Sequence, residues 1–177
     1  EMLRRTDPQR RRAWARDYLN TLVRRDVADI AEVDRQERMV KTPKLHFLDS
    51  GLLPAILGST QARIESDRSG PGTLLESFVF AEISRQSGWM DDPCILTQYR
   101  DKDQDEVDVV VEDFREGVVG VEVKASATVT AKDFRGLRKL ETAAGEDFQI
   151  GMVLYDWERT VPFGDRLFAA PVSSLWA

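Results

Sequence analysis

Two runs of alternating valines, "EVDVVVE" and "VVGVEVK", separated by five residues that suit a turn, constrain this chain more than any other feature. Val107, Val109 and Val111 alternate with Glu106, Asp108, Val110 and Glu112, and Val119, Val121 and Val123 alternate with Gly120, Glu122 and Lys124. A period of two reads as half-buried strand. A turn over Asp113 to Gly117 makes the pair a hairpin, sets Glu112 opposite Val118, and continues to Asp108 opposite Glu122 and Glu106 opposite Lys124. Opposed side chains lie roughly 4.5–5.5 Å apart at Cβ, where like charges repel. A bound cation would turn the repulsion between Asp108 and Glu122 into ligation.

The 177 residues, 42% of them hydrophobic, are enough for one main core. No apolar run approaches the ~20 residues that span a bilayer, and the first residues, Glu1-Met2-Leu3-Arg4-Arg5, lack the apolar centre of a signal peptide. A cytoplasmic protein without a membrane partner is expected. The single Cys94 excludes an internal disulfide and a thiolate zinc cluster, and reads as a small core residue. The lone His46 has no histidine or cysteine nearby, so histidine chemistry is not expected.

Charge is unevenly spread. Residues 1–25 carry eight arginines against three acids, a local +5, which leaves −11 of the net −6 for residues 26–177. Such a basic arm could follow phosphates or an anionic partner, or form a solvated helix face that pairs with acids elsewhere.

From Gln9 to Ile30, Trp14, Tyr18, Leu22, Val23, Val27 and Ile30 recur at helical spacing. A boundary follows near Asp34 to Gln36. "KLHFLDSG" reads as a strand entering a turn, "LLPAILG" as a short helix, and residues 59–71 as a polar linker. "GTLLESFVFAEISRQSG" is a buried helix with Thr73 and Glu76 near capping spacing. "CILTQYR" is a strand leading into the hairpin. "TAKDFRGLRKLETAAG" is a helix opened by Thr130 and Asp133 as a capping box, closed by Gly145, with Phe134, Leu137, Leu140 and the stem of Arg138 inward. "FQIGMVLYD" and "RLFAAPV" complete the sheet, and "VSSLW" closes the chain. The fold class is α/β, a mixed central β-sheet flanked by helices, with an N-terminal helical segment.

Hydrolysis of a phosphodiester needs charge neutralised on the phosphoryl group, a water activated and the leaving oxygen stabilised. Mg²⁺ or Mn²⁺ held by acidic side chains meets those needs, and Mg²⁺ takes one or two carboxylates plus waters. Asp108 and Glu122 supply that minimum. Lys124, on the same strand face as Glu122, could orient or help deprotonate the water, or stabilise phosphoryl charge. Glu76 of Gly72-x-x-x-Glu76 could reach the metal or one of its waters. Arg100 and Lys102 could contact a phosphate; a solvent-exposed turn explains them equally well.

Gly72-x-x-x-Glu76, Asp108 and Glu122-x-Lys124 together resemble the signature of the PD-(D/E)XK nuclease superfamily. More closely, the blocks "KTPKLHFLDSGLL", "GTLLESFVFAEI", "YRDKDQDEVDVVVE", "VVGVEVKAS" and "DFRGLRKL" are similar, in order, to the C-terminal domain of unknown function of a group of prokaryotic AAA-type ATPases. The resemblance implies a restriction-endonuclease-like domain over residues 36–177, preceded over residues 1–35 by the end of an ATPase module. Those proteins continue through a winged-helix-like region before "KTPKLHF", for which there is no room between Asp34 and Gln36. The implied roles are Asp108, Glu122 and Glu76 at the metal, with Lys124 acting on water and phosphate. The implied partners are DNA, the ATPase module or its winged-helix region, and a second copy of the chain. No G-x-x-x-x-G-K-[ST] loop is present, so no ATP site of the parent kind is expected. Two functions follow: a metal-dependent nuclease-like domain acting on DNA, or a noncatalytic nucleic-acid-binding, protein-binding or oligomerisation module of the ATPase.

Overall fold

In the computed structural model the described residues are 71–113, 115 and 117–176, with Ala13, Trp14, Asp17 and His46. The helical arm, the "KLHFLDSG" strand, the "LLPAILG" helix and the linker expected before residue 71 otherwise lie outside them.

The elements are α1 (Pro71–Ser87), β1 (Cys94–Arg100), β2 (Glu106–Asp113), β3 (Val118–Lys124), α2 (Arg135–Ala144), β4 (Phe148–Tyr155), β5 (Val161–Pro162) and β6 (Leu167–Pro171). They form an α/β fold around one mixed sheet of strand order β1-β2-β3-β4-β6-β5. β1, β2 and β3 are antiparallel neighbours, whereas β3, β4 and β6 run parallel. Parallel neighbours need a crossover, and α2 supplies the one between β3 and β4.

Two apolar clusters place the helices on opposite faces. Val109, Val121, Val123, Leu154 and Ala170 pack with Val79, Leu75 and Phe78 of α1. Val107, Val110, Phe148, Val153, Leu167 and Ala169 pack with Phe134, Leu137 and Leu140 around α2. Helix α1 begins with Pro71, a residue whose fixed φ and missing N–H suit the first helical position. Thr73 is therefore inside the helix and exposed, not the cap that its spacing to Glu76 suggested. At α2 the expected cap is present. Asp133 Oδ2 accepts from the N–H of Thr130 at 2.6 Å and from its hydroxyl at 2.9 Å, ahead of a 3-10 turn over Ala131–Phe134. Gly145, at φ +61°, ends the helix. Arg138 is exposed and donates to the Phe163 carbonyl at 2.9 Å, so its stem does not line the inner face as expected.

The hairpin adopts the expected register: Val109 opposes Val121, Val110 Gly120, Val111 Val119, and Glu112 Val118. Asp113 fixes the turn, its N–H donating to the Gly117 carbonyl while its Oδ1 accepts from the N–H groups of Arg115 and Gly117. The strict alternation expected along β2 is broken. Thr97 opposes Val110 and Tyr99 opposes Val107, so two steps on β1 face three on β2, a bulge at Asp108-Val109. Val107 and Val110 consequently enter the α2 cluster while Val109 enters the α1 cluster. Cys94, expected in the core, is half-buried at the start of β1. The two-residue β5 left no sequence signal, because Val161-Pro162 is too short for periodicity. Among the described residues no helix is long and apolar enough to cross a membrane.

Helix α2 approaches β2 closely at one point. A Cβ on Gly136 would lie 1.9 Å from the Glu106 carbonyl oxygen, whereas one on Gly120 would meet the tips of Leu137 and Leu140 at 2.6 and 2.9 Å. Backbone cannot step aside as a leucine tip can. Gly136→Ala is expected to cost about 3 kcal/mol or more and Gly120→Ala about 1–3 kcal/mol, measured by urea unfolding. An equal or smaller loss for Gly136→Ala contradicts the close approach.

Candidate functional site

The regular pairing between β2 and β3 stops at Val109 and Val121. Just beyond it, Oδ2 of the buried Asp108 accepts the backbone N–H of Val123 at 2.9 Å. A side chain thus satisfies a strand donor beyond the regular pairing, and the bulge at Asp108-Val109 is where β2 departs from simple alternation. The contact joins Asp108 to the strand step flanked by Glu122 and Lys124.

Glu122 and Lys124 face the α2 layer. Val121 and Val123 belong to the opposite cluster, and the missing Cβ of Gly120 points at Leu137 and Leu140. The Oε2 atom of Glu122 is enclosed by protein. Lys124 Nζ lies 2.5 Å from Asp133 Oδ1, so the carboxylate that caps the α2 entry also holds this ammonium. Burial pushes the Asp133 carboxyl up, but Lys124 and the Thr130 donors outweigh it and leave it below the usual carboxylate range. Lys124 was expected to meet Glu106 across the hairpin; Glu106 instead pairs with Arg100 across β1 and β2.

Asp108 meets the strand step between Glu122 and Lys124 through the Val123 N–H, while Glu122 and Lys124 share the α2 face. Glu76 is half-buried in the second turn of α1, the helix of the other layer. Among the described residues no group of three or more His, Cys, Asp or Glu is placed to hold a metal ion. Arg100 is engaged by Glu106, while Lys102 is exposed in the β1–β2 connection at the same end of the sheet. His46 stacks on Phe80 with ring centroids 4.2 Å apart, and its Nε2 lies 2.7 Å from Gln98 Nε2.

Sequence reasoning missed a charged cluster beside the site. Asp101 Oδ1 accepts from the N–H groups of Asp103 and Asp105, folding the β1–β2 connection onto itself. Lys139 of α2 sits among the three carboxylates, contacting Asp101, Asp103 at 2.9 Å and Asp105 at 2.6 Å, and Arg135 also contacts Asp105. The Lys139 ammonium holds the carboxyls of Asp101 and Asp105 below the usual range, and they hold its own pKa well above the lysine value. The signal available was the run Asp101-x-Asp103-x-Asp105 with only Lys102 inside it and Arg100 before it, which demands cations from elsewhere in the fold.

Residues 71–175, more than half of the chain, match the family described as Domain of unknown function (DUF4143). The chain belongs to the DUF4143 family. No curated protein and no solved structure matches it. Every element from α1 to β6 lies within the matched DUF4143 stretch.

Two outcomes test the DUF4143 geometry. Asp108→Ala leaves the Val123 N–H without its acceptor and is expected to cost about 1–3 kcal/mol, whereas Asp108→Asn keeps an acceptor oxygen and most of the stability. Equal unfolding midpoints for both variants in denaturant count against the contact. Because the carboxyls of Asp101 and Asp105 lie below their unfolded value of 3.8, the stability they confer is present above that value and lost as pH falls through their folded values. Lys139→Met is expected to lower the melting temperature at pH 7 and to approach wild type toward pH 3. A gap that stays constant across that window rules out the charge cluster as its cause.

Proposed function

We propose that this DUF4143 domain is a nuclease-like module that acts on phosphodiester bonds in DNA, centred on Asp108, Glu122 and Lys124. The observation that carries this reading is the Asp108 Oδ2 to Val123 N–H contact at 2.9 Å, which ties the β2 acid to the Glu122-x-Lys124 step. The mixed central sheet with a helix on each face is also the architecture expected from the resemblance to a restriction-endonuclease-like domain, and supports the reading.

As a donor set, Asp108 and Glu122 fit Mg²⁺ or Mn²⁺, because a hard cation of this kind takes one or two carboxylates and fills its other positions with water and phosphate oxygens. Such a cation, when bound, would neutralise charge developing on the phosphoryl group. The chain's own residues do the rest. Glu122 and Asp108 would supply the negative charge from largely enclosed positions at the end of the hairpin away from its turn. Lys124, paired with Asp133, offers a positive charge to a phosphoryl oxygen, which suits it to electrostatic stabilisation more than to taking a proton from water. Glu76, on α1 in the other layer, lies across the sheet from the face that Glu122 and Lys124 share, so a role for it at the metal rests on the sequence resemblance alone. Arg100 and Lys102 lie at the same end as candidate phosphate contacts, Lys102 the more accessible of the two.

The AAA-type ATPase setting, a cytoplasmic location and self-association belong to the same proposal and rest on the resemblance of the sequence blocks. A second reading, a noncatalytic binding module, is favoured by two observations: Lys124 is already paired with Asp133, and no three-acid group gathers among the described residues.

Cleavage of plasmid and single-stranded DNA with Mg²⁺ or Mn²⁺ separates the two readings. Glu122→Ala and Lys124→Ala are expected to lose at least about 100-fold in rate while remaining folded, as judged by a cooperative unfolding transition. Full activity in both variants rejects this centre. A wild-type protein that binds DNA without cutting it, with affinity unchanged by EDTA, establishes the noncatalytic reading.

A further inference from the structure

Resting on the nucleic-acid reading above, we infer that Trp157 is a stacking platform for an unpaired nucleobase, so that the DUF4143 domain takes single-stranded or unpaired nucleic acid in preference to continuous duplex. Trp157 is 56% exposed, which leaves much of a large aromatic ring open to a stacking ligand.

Its place in the fold is what gives the exposure meaning. β3 and β4 are parallel and in register, with Lys124 beside Tyr155, so the loop after β4 opens at the same end of the sheet as the Glu122-x-Lys124 step. In open α/β sheets, ligands gather outside the carboxyl ends of the parallel strands. The Trp157 loop is tied down on both sides. The Asp156 N–H donates to the Ser126 carbonyl at 3.2 Å, joining it to the loop that follows Lys124, and the Tyr155 hydroxyl donates to the Arg159 carbonyl at 2.6 Å, closing the loop beneath Trp157. The buried Tyr155 ring anchors that closure in the α2-side core. An exposed indole on a fixed loop is presented with little conformational entropy left to lose on binding.

Charge then selects stacking over backbone contact. Residues 71–176 carry 11 Lys and Arg against 20 Asp and Glu, a net of −9. A surface so acidic gains little from counterion release along a phosphate backbone. Stacking is different, since every base offers a π-face whatever the charge of the protein around it. Within a continuous duplex both faces of a base are already covered, so the ring can be used only by a base that is unpaired or at an end.

The test measures binding of a fluorescently labelled oligothymidine and of a blunt duplex of equal length by anisotropy, with Ca²⁺ as the divalent ion, across a salt series. Four forms of the full chain are compared: wild type, Trp157→Ala, Trp157→Phe and Trp89→Ala. Trp89 is the control, being 87% exposed but set in the connection between α1 and β1, at the opposite end of the sheet. Trp157→Ala is expected to weaken oligothymidine binding about 5- to 100-fold, Trp157→Phe to retain most of it, and Trp89→Ala to match wild type. Because residues 1–25 carry a local +5, the salt dependence is compared between wild type and Trp157→Ala, for which equal slopes are expected when the lost contact is stacking and not phosphate. Oligothymidine affinity within two-fold of wild type for Trp157→Ala, an equal loss in Trp89→Ala, or tighter binding of the duplex overturns the stacking role and leaves the cleavage centre standing. No binding of either nucleic acid overturns the stacking role and the nucleic-acid reading together.

Discussion

The hydrogen bond from the Val123 N–H to Asp108 is the constraint on which the rest of the site depends. A hairpin of alternating valines would otherwise extend its ladder and place Asp108 and Glu122 face to face, two carboxylates with nothing but repulsion between them. The bulge at Asp108-Val109 lets β2 change its phase without changing the register of the hairpin turn. Val107 and Val110 remain in the α2 core, Val109 in the α1 core, and Asp108 turns its oxygen to a backbone donor. Local irregularity therefore leaves the packing of both layers intact while it sets the orientation of one buried acid.

Helix α2 holds that irregularity in place. Its Gly136 lies so near the Glu106 carbonyl that no side chain fits between them, and Lys139 and Arg135 grip the acidic connection immediately before β2. The same helix is entered through Asp133, whose two oxygens are divided between the Thr130 cap and Lys124. Close backbone approach, the capping of α2 and the charge beside Glu122 are thus parts of one arrangement. A change at α2 reaches the hairpin end without touching either carboxylate.

Much of this was legible in the sequence because it is local. The hairpin register follows from a valine period and a turn of known length, the ends of β1 and α2 from "CILTQYR" and from Thr130, Asp133 and Gly145. What escaped was decided by tertiary partners. The bulge has no sequence mark, since Val109 and Val110 are both apolar and either could face either layer. Thr73 is not a cap because the helix already runs through it from Pro71. Lys124 was assigned to Glu106 on register alone; the ladder stops before reaching them, and the long side chain finds Asp133 on the following turn.

The charge pattern bears on how such a site would discriminate among substrates. Three of the acids nearest β2 share the two cations Lys139 and Arg135 of α2, and much of the remaining acidity is spread over exposed positions such as Asp91, Asp92, Glu112 and Glu158. On the proposed nucleic-acid reading, a nonspecific duplex, which relies on many phosphate contacts, would be disfavoured by such a surface. A strand that enters with one phosphate near Lys124 and a base near the loop after β4 meets less of it. Repulsion over the body, combined with a few favourable groups at the carboxyl ends of β3 and β4, is a physical route to selectivity that requires no extended basic groove.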